Sequence, residues 1–145
     1  MRLTLIVLAA LAVASGGMAL PGPLTCSTTC VVASNGAGYV PPLLIVESGA
    51  SIVWKSLDTS HVSAEGTGLG DAAEPCFLVS YSSSNPSDPV TFAIAAGSVT
   101  ATVGDDTATC GNTHELPDGG LLLPYWCALH PNMRAALIVE PADGA

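Results

Sequence analysis

The sequence predicts an all-β fold, a Greek-key β-sandwich of about seven to eight strands. Three observations predict it. Short β-type runs alternate with turn residues, no stretch keeps the 3.6-residue periodicity of an amphipathic helix, and 145 residues are enough for one domain. We therefore expect a single β domain without an internal domain boundary.

Seven runs are predicted to be strands. They cover residues 43–47, 51–56, 76–81, 90–95, 98–103, 121–126 and 135–140. Apolar and small polar side chains alternate most clearly in 90–94 and 99–103, as a half-buried strand requires, and Gly97 marks the turn between them. Residues 82–89, which are rich in Ser and Pro, are predicted to form a loop.

The charge of the chain limits its partners. Twelve acidic residues stand against three basic ones, and the formal net charge is -9. Without a cationic surface the protein cannot release counterions from a phosphate backbone, so nucleic acid is excluded as a partner. A partner with a basic docking face fits this acidic chain better.

Residues 1–19 have the pattern of a secretory signal peptide. Arg2 gives the positive start, residues 3–13 form an almost unbroken apolar run, and residues 17–19 form a small-x-small cleavage site. A membrane anchor is the alternative, but the run ends before the roughly 20 residues that a span needs. We expect a single mature domain of residues 20–145, secreted or periplasmic, with no stable membrane insertion after cleavage.

Five cysteines in an exported chain leave one thiol over when the others pair. Four cysteines allow three connectivities, and the sequence alone does not choose among them. We favour Cys26 with Cys30, which lie close together before the main body, and Cys76 with Cys110, which lie beside predicted strands. Cys127 is then the free thiol.

A thiol, an imidazole and a thioether follow one another at three-residue intervals near the C-terminus, as Cys127, His130 and Met133. Pro131 excludes a helix through them, because it lacks an N–H and clashes with the preceding turn. The three side chains are therefore predicted on a loop between two strands, where they can point at one centre. His61, in the connection after the second predicted strand, is the natural fourth ligand.

Two imidazoles and one thiolate with a weak axial thioether form the donor set of a blue, or type 1, copper centre. Zinc is the alternative metal, and it is disfavoured because structural zinc sites use Cys and His without a thioether. The donor set therefore predicts one copper ion as the cofactor and electron transfer as its use.

The run Cys-Ala-Leu-His-Pro-Asn-Met-Arg at 127–134, followed by an apolar strand, resembles the copper loop of the small blue copper proteins, the cupredoxins, and of their amicyanin branch in particular. Residues 48–54 resemble, more loosely, the strand before the first histidine ligand of that family. The resemblance implies a cupredoxin-like fold and four copper ligands: Nδ1 of His61, Nδ1 of His130, the thiolate of Cys127 and, weakly along the axis, Met133.

Two positions depart from the family pattern. Many cupredoxins have Asn after the first histidine and Ser or Thr after the cysteine, and these side chains join the two ligand segments by a hydrogen bond. Val62 and Ala128 occupy the two positions here. We therefore expect this polar link to be absent, and we infer no reduction potential from the family.

The third histidine, His114, lies in a predicted loop and is expected at the surface, with a peripheral metal contact as the alternative. Trp54, Phe92 and Leu137 are predicted to lie in the core.

The leading hypothesis is a monomeric electron carrier, not an enzyme, that moves single electrons between redox partner proteins through an uncharged surface around His130. The alternative is a module that buffers or delivers copper without electron-transfer turnover, and reversible redox cycling would distinguish the two. Copper enzymes with several centres need more histidines than the three in this chain.

Overall fold

The computed structural model describes residues 23–68 and 74–142, and all regular secondary structure in these ranges is β. The strands are β1 (Leu24–Cys26), β2 (Thr29–Asn35), β3 (Gly38–Val40), β4 (Leu43–Glu47), β5 (Ser51–Ser56), β6 (His61–Glu65), β7 (Leu78–Tyr81), β8 (Val90–Ala95), β9 (Ser98–Val103), β10 (Asp106–Thr109), β11 (His114–Glu115), β12 (Leu121–Cys127) and β13 (Arg134–Glu140). Within these ranges no helix is long and apolar enough to cross a membrane. The predicted signal peptide, residues 1–19, lies outside the described residues.

The strands form two mixed sheets. The first has the order β1-β4-β13-β12-β6-β7, with β11 also paired to β12, and the second has the order β10-β9-β8-β5-β2-β3. The pairs β1–β4, β4–β13 and β2–β5 are parallel, whereas β12 is antiparallel to both β13 and β6. The predicted all-β sandwich is confirmed.

The described residues form more strands than the seven to eight predicted, because β1, β2, β3, β6, β10 and β11 were not recognised. Most of these strands are short. β6 was not predicted for a different reason. His61, Ser63 and Glu65 are all buried in β6, so the strand lacks the usual alternation of apolar inward and polar outward residues. The placement of His61 in a connection was therefore wrong, since His61 is the first residue of a strand.

Aromatic rings fill the space between the sheets. Trp54, Phe92 and Leu137 are fully buried, as predicted. The ring of Trp54 stacks on Phe77 at 5.2 Å and meets the edge of Tyr125 at 5.5 Å. Because Trp54 belongs to the second sheet and Tyr125 to the first, these contacts hold the two sheets together at the end where β12 reaches the predicted metal ligands.

Both favoured disulfides are present, and Cys127 is free and buried. Cys26 of β1 is bonded to Cys30 of β2, and Cys76, before β7, is bonded to Cys110, after β10. Each bond therefore joins a segment of the first sheet to a segment of the second.

Candidate metal centre

A short hairpin loop, residues 128–133, connects β12 to β13 and brings two of the predicted ligands back toward the first. Cys127 is the last residue of β12, and its backbone N–H donates to the carbonyl of Met133 at 3.0 Å. Inside the loop, the N–H of His130 donates to the backbone carbonyl of Cys127 at 3.2 Å, and the N–H of Met133 donates to the backbone carbonyl of His130 at 2.8 Å. These backbone bonds curl the loop into tight turns, so side chains three residues apart face a common point.

His61 reaches the same point from the neighbouring strand. It begins β6, which pairs with β12 so that Cys127 lies opposite Ser63. On its other side β6 pairs with β7, which places Tyr81 opposite His61. His61 is therefore held inside the first sheet, with neighbouring strands on both sides, and its side chain is fully buried.

Three potential donor atoms converge here. The sulfur of Cys127 lies 3.8 Å from Nδ1 of His61 and 3.6 Å from Nδ1 of His130, and all three atoms lie within 4.8 Å of one another. Three donors bonded at about 2.1 Å to one ion in a trigonal plane are about 3.6 Å apart, so the spacing fits a single metal ion. Cys127 and His61 are buried, and His130 is half-buried.

Met133, the fourth predicted ligand, and His114, the histidine expected at the surface, differ in burial. Met133 is buried, with 2% of its surface exposed, at the point where the loop returns to β13. His114 is exposed on β11, opposite Leu122, and it is not one of the three converging residues. The expectation that His114 lies at the surface is confirmed, although it belongs to a two-residue strand and not to a loop.

The two ligand segments are joined by backbone groups. The N–H of Ala128 donates to the carbonyl of Val62 at 2.8 Å, and the N–H of Val62 lies 3.5 Å from the sulfur of Cys127. The side-chain link found in many cupredoxins cannot form, because Val62 and Ala128 have no polar side-chain atoms. The backbone provides a link at the same two positions, and sequence reasoning missed it.

Sequence reasoning also missed Asp58. Its Oδ1 lies 2.7 Å from Nε2 of His61, on the side of the ring away from Cys127. The hydrogen bond with His61, and those from the backbone N–H groups of Thr59 and Gly36, lower the pKa of Asp58 to about 2. An acidic residue three positions before a candidate His ligand was the signal that could have indicated this contact.

A buried hydroxyl network supports the face of the His61 ring. The ring of Tyr81 stacks against it at 5.8 Å, and the Tyr81 hydroxyl lies 2.6 Å from Ser34 Oγ and 2.9 Å from Ser63 Oγ. Ser63 also lies 2.9 Å from the hydroxyl of Tyr39. Burial raises the pKa of both tyrosines above the ordinary value, so the network is uncharged at neutral pH.

The outer side of the centre meets the surface near Leu129. A cavity of about 360 Å³ opens there, and its lining includes His61, Tyr81, Ser80, Asn85 and Leu129. Leu129 is 54% exposed, which is high for a large apolar side chain. His130, which precedes Pro131 and follows Leu129 in the loop, is half-buried and is the most exposed of the three converging residues.

A second group of potential ligands lies farther along β6. The carboxylate of buried Glu65 accepts the backbone N–H of Cys76 at 2.8 Å and that of Asn112 at 3.0 Å. Cys76 and Cys110 complete this group, but their sulfurs are bonded to each other. Glu65 therefore anchors the disulfide segment to the strand that carries His61.

No family model matches the chain, and no curated protein matches it. Solved structures do match. An oxidised amicyanin variant is 19% identical over 77% of this chain and 82% of that chain, with a TM-score of 0.47. A Cu(I) form of another amicyanin variant is 18% identical over the same shares, 77% and 82%, also with a TM-score of 0.47.

A copper-containing nitrite reductase from Thermus scotoductus SA-01 is 19% identical over 86% of this chain but only 24% of that chain, with a TM-score of 0.39. With TM-scores below 0.5 these likenesses carry no argument about the site, which rests on the residues of this chain.

Proposed function

We propose that the protein binds one copper ion through Nδ1 of His61, the thiolate of Cys127 and Nδ1 of His130, with Met133 as a weak axial ligand, and that it carries single electrons. The observation that carries this proposal is the convergence of the two Nδ1 atoms on the only free thiol among the described cysteines.

Bound copper supplies a centre that exchanges one electron between Cu(I) and Cu(II). The residues of the chain hold that centre in one geometry. The β6–β12 pairing fixes His61 relative to Cys127, and the turns of the short loop fix His130. Because both β-strand ligands are buried, water is excluded from most of the site, and the ligands need little rearrangement when the charge changes.

The proposed route for electrons runs through His130 to the surface around Leu129 and the exposed Pro131. Leu129 and Pro131 are apolar and uncharged, so a partner can dock closely against these two side chains without desolvating a charge. The acidic residues elsewhere steer a basic partner toward this surface. We further propose that residues 1–19 export the chain, that residues 20–145 act as one monomeric domain outside the cytoplasm, and that the protein itself makes or breaks no bonds in its partners.

The test is addition of Cu(II) to the apo protein followed by visible absorption. An intense thiolate-to-copper charge-transfer band should saturate at one equivalent of copper. Cys127→Ser should abolish the band, whereas His114→Ala, the matched control for a histidine outside the centre, should retain it. A colourless copper complex contradicts the proposal, and loss of colour in His114→Ala contradicts the ligand assignment.

A copper-buffering module is the alternative function, since thiolate and thioether ligands hold Cu(I) well. The two functions differ in their redox behaviour. An electron carrier should pass through repeated cycles of chemical reduction and oxidation with the full band recovered each time and no copper released to a chelator. Release of copper on each reduction would support buffering or delivery instead.

A further inference from the structure

The Asp58 carboxylate lies behind His61, on the opposite side of the ring from the candidate metal centre. Oδ1 is 2.7 Å from Nε2 of His61, and the other ring nitrogen, Nδ1, faces the sulfur of Cys127 at 3.8 Å. Among the carboxylates of the described residues, Asp58 is the one within hydrogen-bond distance of His61.

Asp58 is itself held in place by backbone donors. The N–H of Thr59 donates to Oδ1 at 2.7 Å, and the N–H of Gly36 donates to Oδ2 at 2.7 Å. Gly36 lies in the turn between β2 and β3 of the second sheet. The carboxylate is therefore fixed by its own loop and by a hairpin of the opposite sheet, although Asp58 is 36% exposed.

This arrangement determines which nitrogen of His61 carries the proton. An ionised carboxylate has no hydrogen to donate, so the hydrogen of the contact must be on Nε2. A neutral imidazole that is protonated at Nε2 keeps its lone pair on Nδ1, the atom that faces Cys127. Asp58 thus selects the tautomer of His61 that can bind a metal at the centre.

We propose that Asp58 is a positioning residue that fixes the Nε2–H tautomer of His61 and, through its negative charge, makes this imidazole a stronger donor that favours Cu(II) over Cu(I). The proposal rests on the proposed copper function. Carboxylates behind ligating histidines raise the basicity of the ligand, and a more basic nitrogen stabilises the more highly charged ion. The reduction potential is therefore lower with Asp58 than without its charge.

Asp58→Asn tests the effect of the charge, because the amide oxygen can still accept the Nε2–H bond. The Cu(I) to Cu(II) ratio at a fixed ambient potential should increase about tenfold. For one electron this corresponds to a reduction potential that is about 59 mV higher. Asp105→Asn, which removes an equal charge from the exposed β9–β10 turn, is the control and should leave the potential unchanged. Retention of the visible band in both variants shows that the centre is intact.

A measurement on the apo protein tests the tautomer without copper. Nitrogen-15 NMR of the imidazole at neutral pH should show His61 of the parent protein protonated at Nε2. Asp58→Leu, which keeps the size but removes the acceptor, should populate the Nδ1–H form. A parent protein with His61 protonated at Nδ1 overturns the proposal, even if no variant folds.

Failure of this proposal can be distinguished from failure of the copper function. If the parent protein gives no visible band with Cu(II), the copper function fails. If the band is present in the parent and in Asp58→Asn but their potentials are equal, the proposed role of Asp58 is wrong. It is also wrong if Asp105→Asn shifts the potential as much as Asp58→Asn does. In both cases the proposed copper function stands.

Discussion

The backbone N–H of Val62 lies 3.5 Å from the sulfur of Cys127, and the carbonyl of the same Val62 accepts the N–H of Ala128 at 2.8 Å. One residue therefore contacts both the candidate thiolate and the residue after it. The donor to the sulfur is a backbone N–H group, so this contact needs no polar side chain. Every residue except proline has this donor, so the side chain at position 62 can be apolar and the link still forms.

The first prediction concerns Met133, which is buried where the loop returns to β13. Met133→Gln replaces a soft thioether with a hard amide oxygen, which favours Cu(II), so the midpoint potential should fall while the visible band is retained. Protein-film voltammetry measures it. Met133→Leu, a control of similar size without the oxygen, should not lower the potential. An unchanged potential in Met133→Gln would show that residue 133 does not reach the metal.

The second prediction concerns the thiols. With Cys26–Cys30 and Cys76–Cys110 bonded, the apo protein should contain one titratable thiol, that of Cys127. Because Cys127 is completely buried, a thiol reagent should modify it slowly in the native protein and rapidly in denaturant. Non-reducing peptide mass spectrometry identifies the pairs. Finding Cys127 in a disulfide would remove the proposed thiolate ligand.

The sequence predicted strands with clear alternation, such as β8 and β9, and it missed β6, whose two faces do not differ in this way. β8 and β9 alternate apolar and small polar residues, and both were predicted with their observed limits. β6 buries Ser63 and Glu65 because each finds a partner inside, the hydroxyl of Tyr81 for Ser63 and two backbone N–H groups for Glu65. Such partners are far away in the sequence, so no local pattern indicates them.

Some contacts of the candidate centre could likewise be predicted from the sequence, and others could not. Cys127 ends β12 and His130 lies in the short loop that follows, so their spacing alone predicts that they meet. The contact between Asp58 and His61 is also local in sequence, but the orientation of the carboxylate depends on the N–H of Gly36 in the other sheet. The sequence contains these residues without indicating the packing of the two sheets that brings them into contact.

The third prediction concerns Glu65, whose carboxylate accepts two backbone N–H bonds in the interior. Glu65→Ala removes the acceptor of the buried Cys76 N–H and of the half-buried Asn112 N–H, so the free energy of unfolding of the apo protein should fall by about 2 to 4 kcal/mol. Glu65→Gln, which keeps one acceptor oxygen, should lose less. Urea denaturation measures both.

Glu115→Gln is the control for this prediction, because Glu115 is exposed on β11. It should change the free energy of unfolding by less than about 0.5 kcal/mol. If Glu65→Ala falls within the same small range, Glu65 does not anchor the segment that contains Cys76.

The last prediction concerns Tyr39, whose hydroxyl crosses from β3 of the second sheet to Ser63 of the first, at 2.9 Å. Burial raises the pKa of Tyr39 above its ordinary value of 10.0, and the hydrogen bond with Ser63 offsets only part of that effect. In the unfolded chain the phenol ionises near its ordinary pKa. The stability contributed by the neutral buried phenol is therefore fully present below pH 10 and is lost as the pH rises further, because the unfolded state releases its proton first.

Tyr39→Phe isolates the contribution of this phenol. Absorbance near 295 nm reports the ionised phenol. While the apo protein is folded, parent and variant should differ by almost nothing at this wavelength up to about pH 11, and a difference should develop only when the protein unfolds. The free energy of unfolding should also fall less steeply between about pH 10 and pH 11 in the variant than in the parent. Ionisation of Tyr39 near pH 10 in the folded protein, seen as a difference signal before any change in circular dichroism, would contradict its burial in the network behind His61.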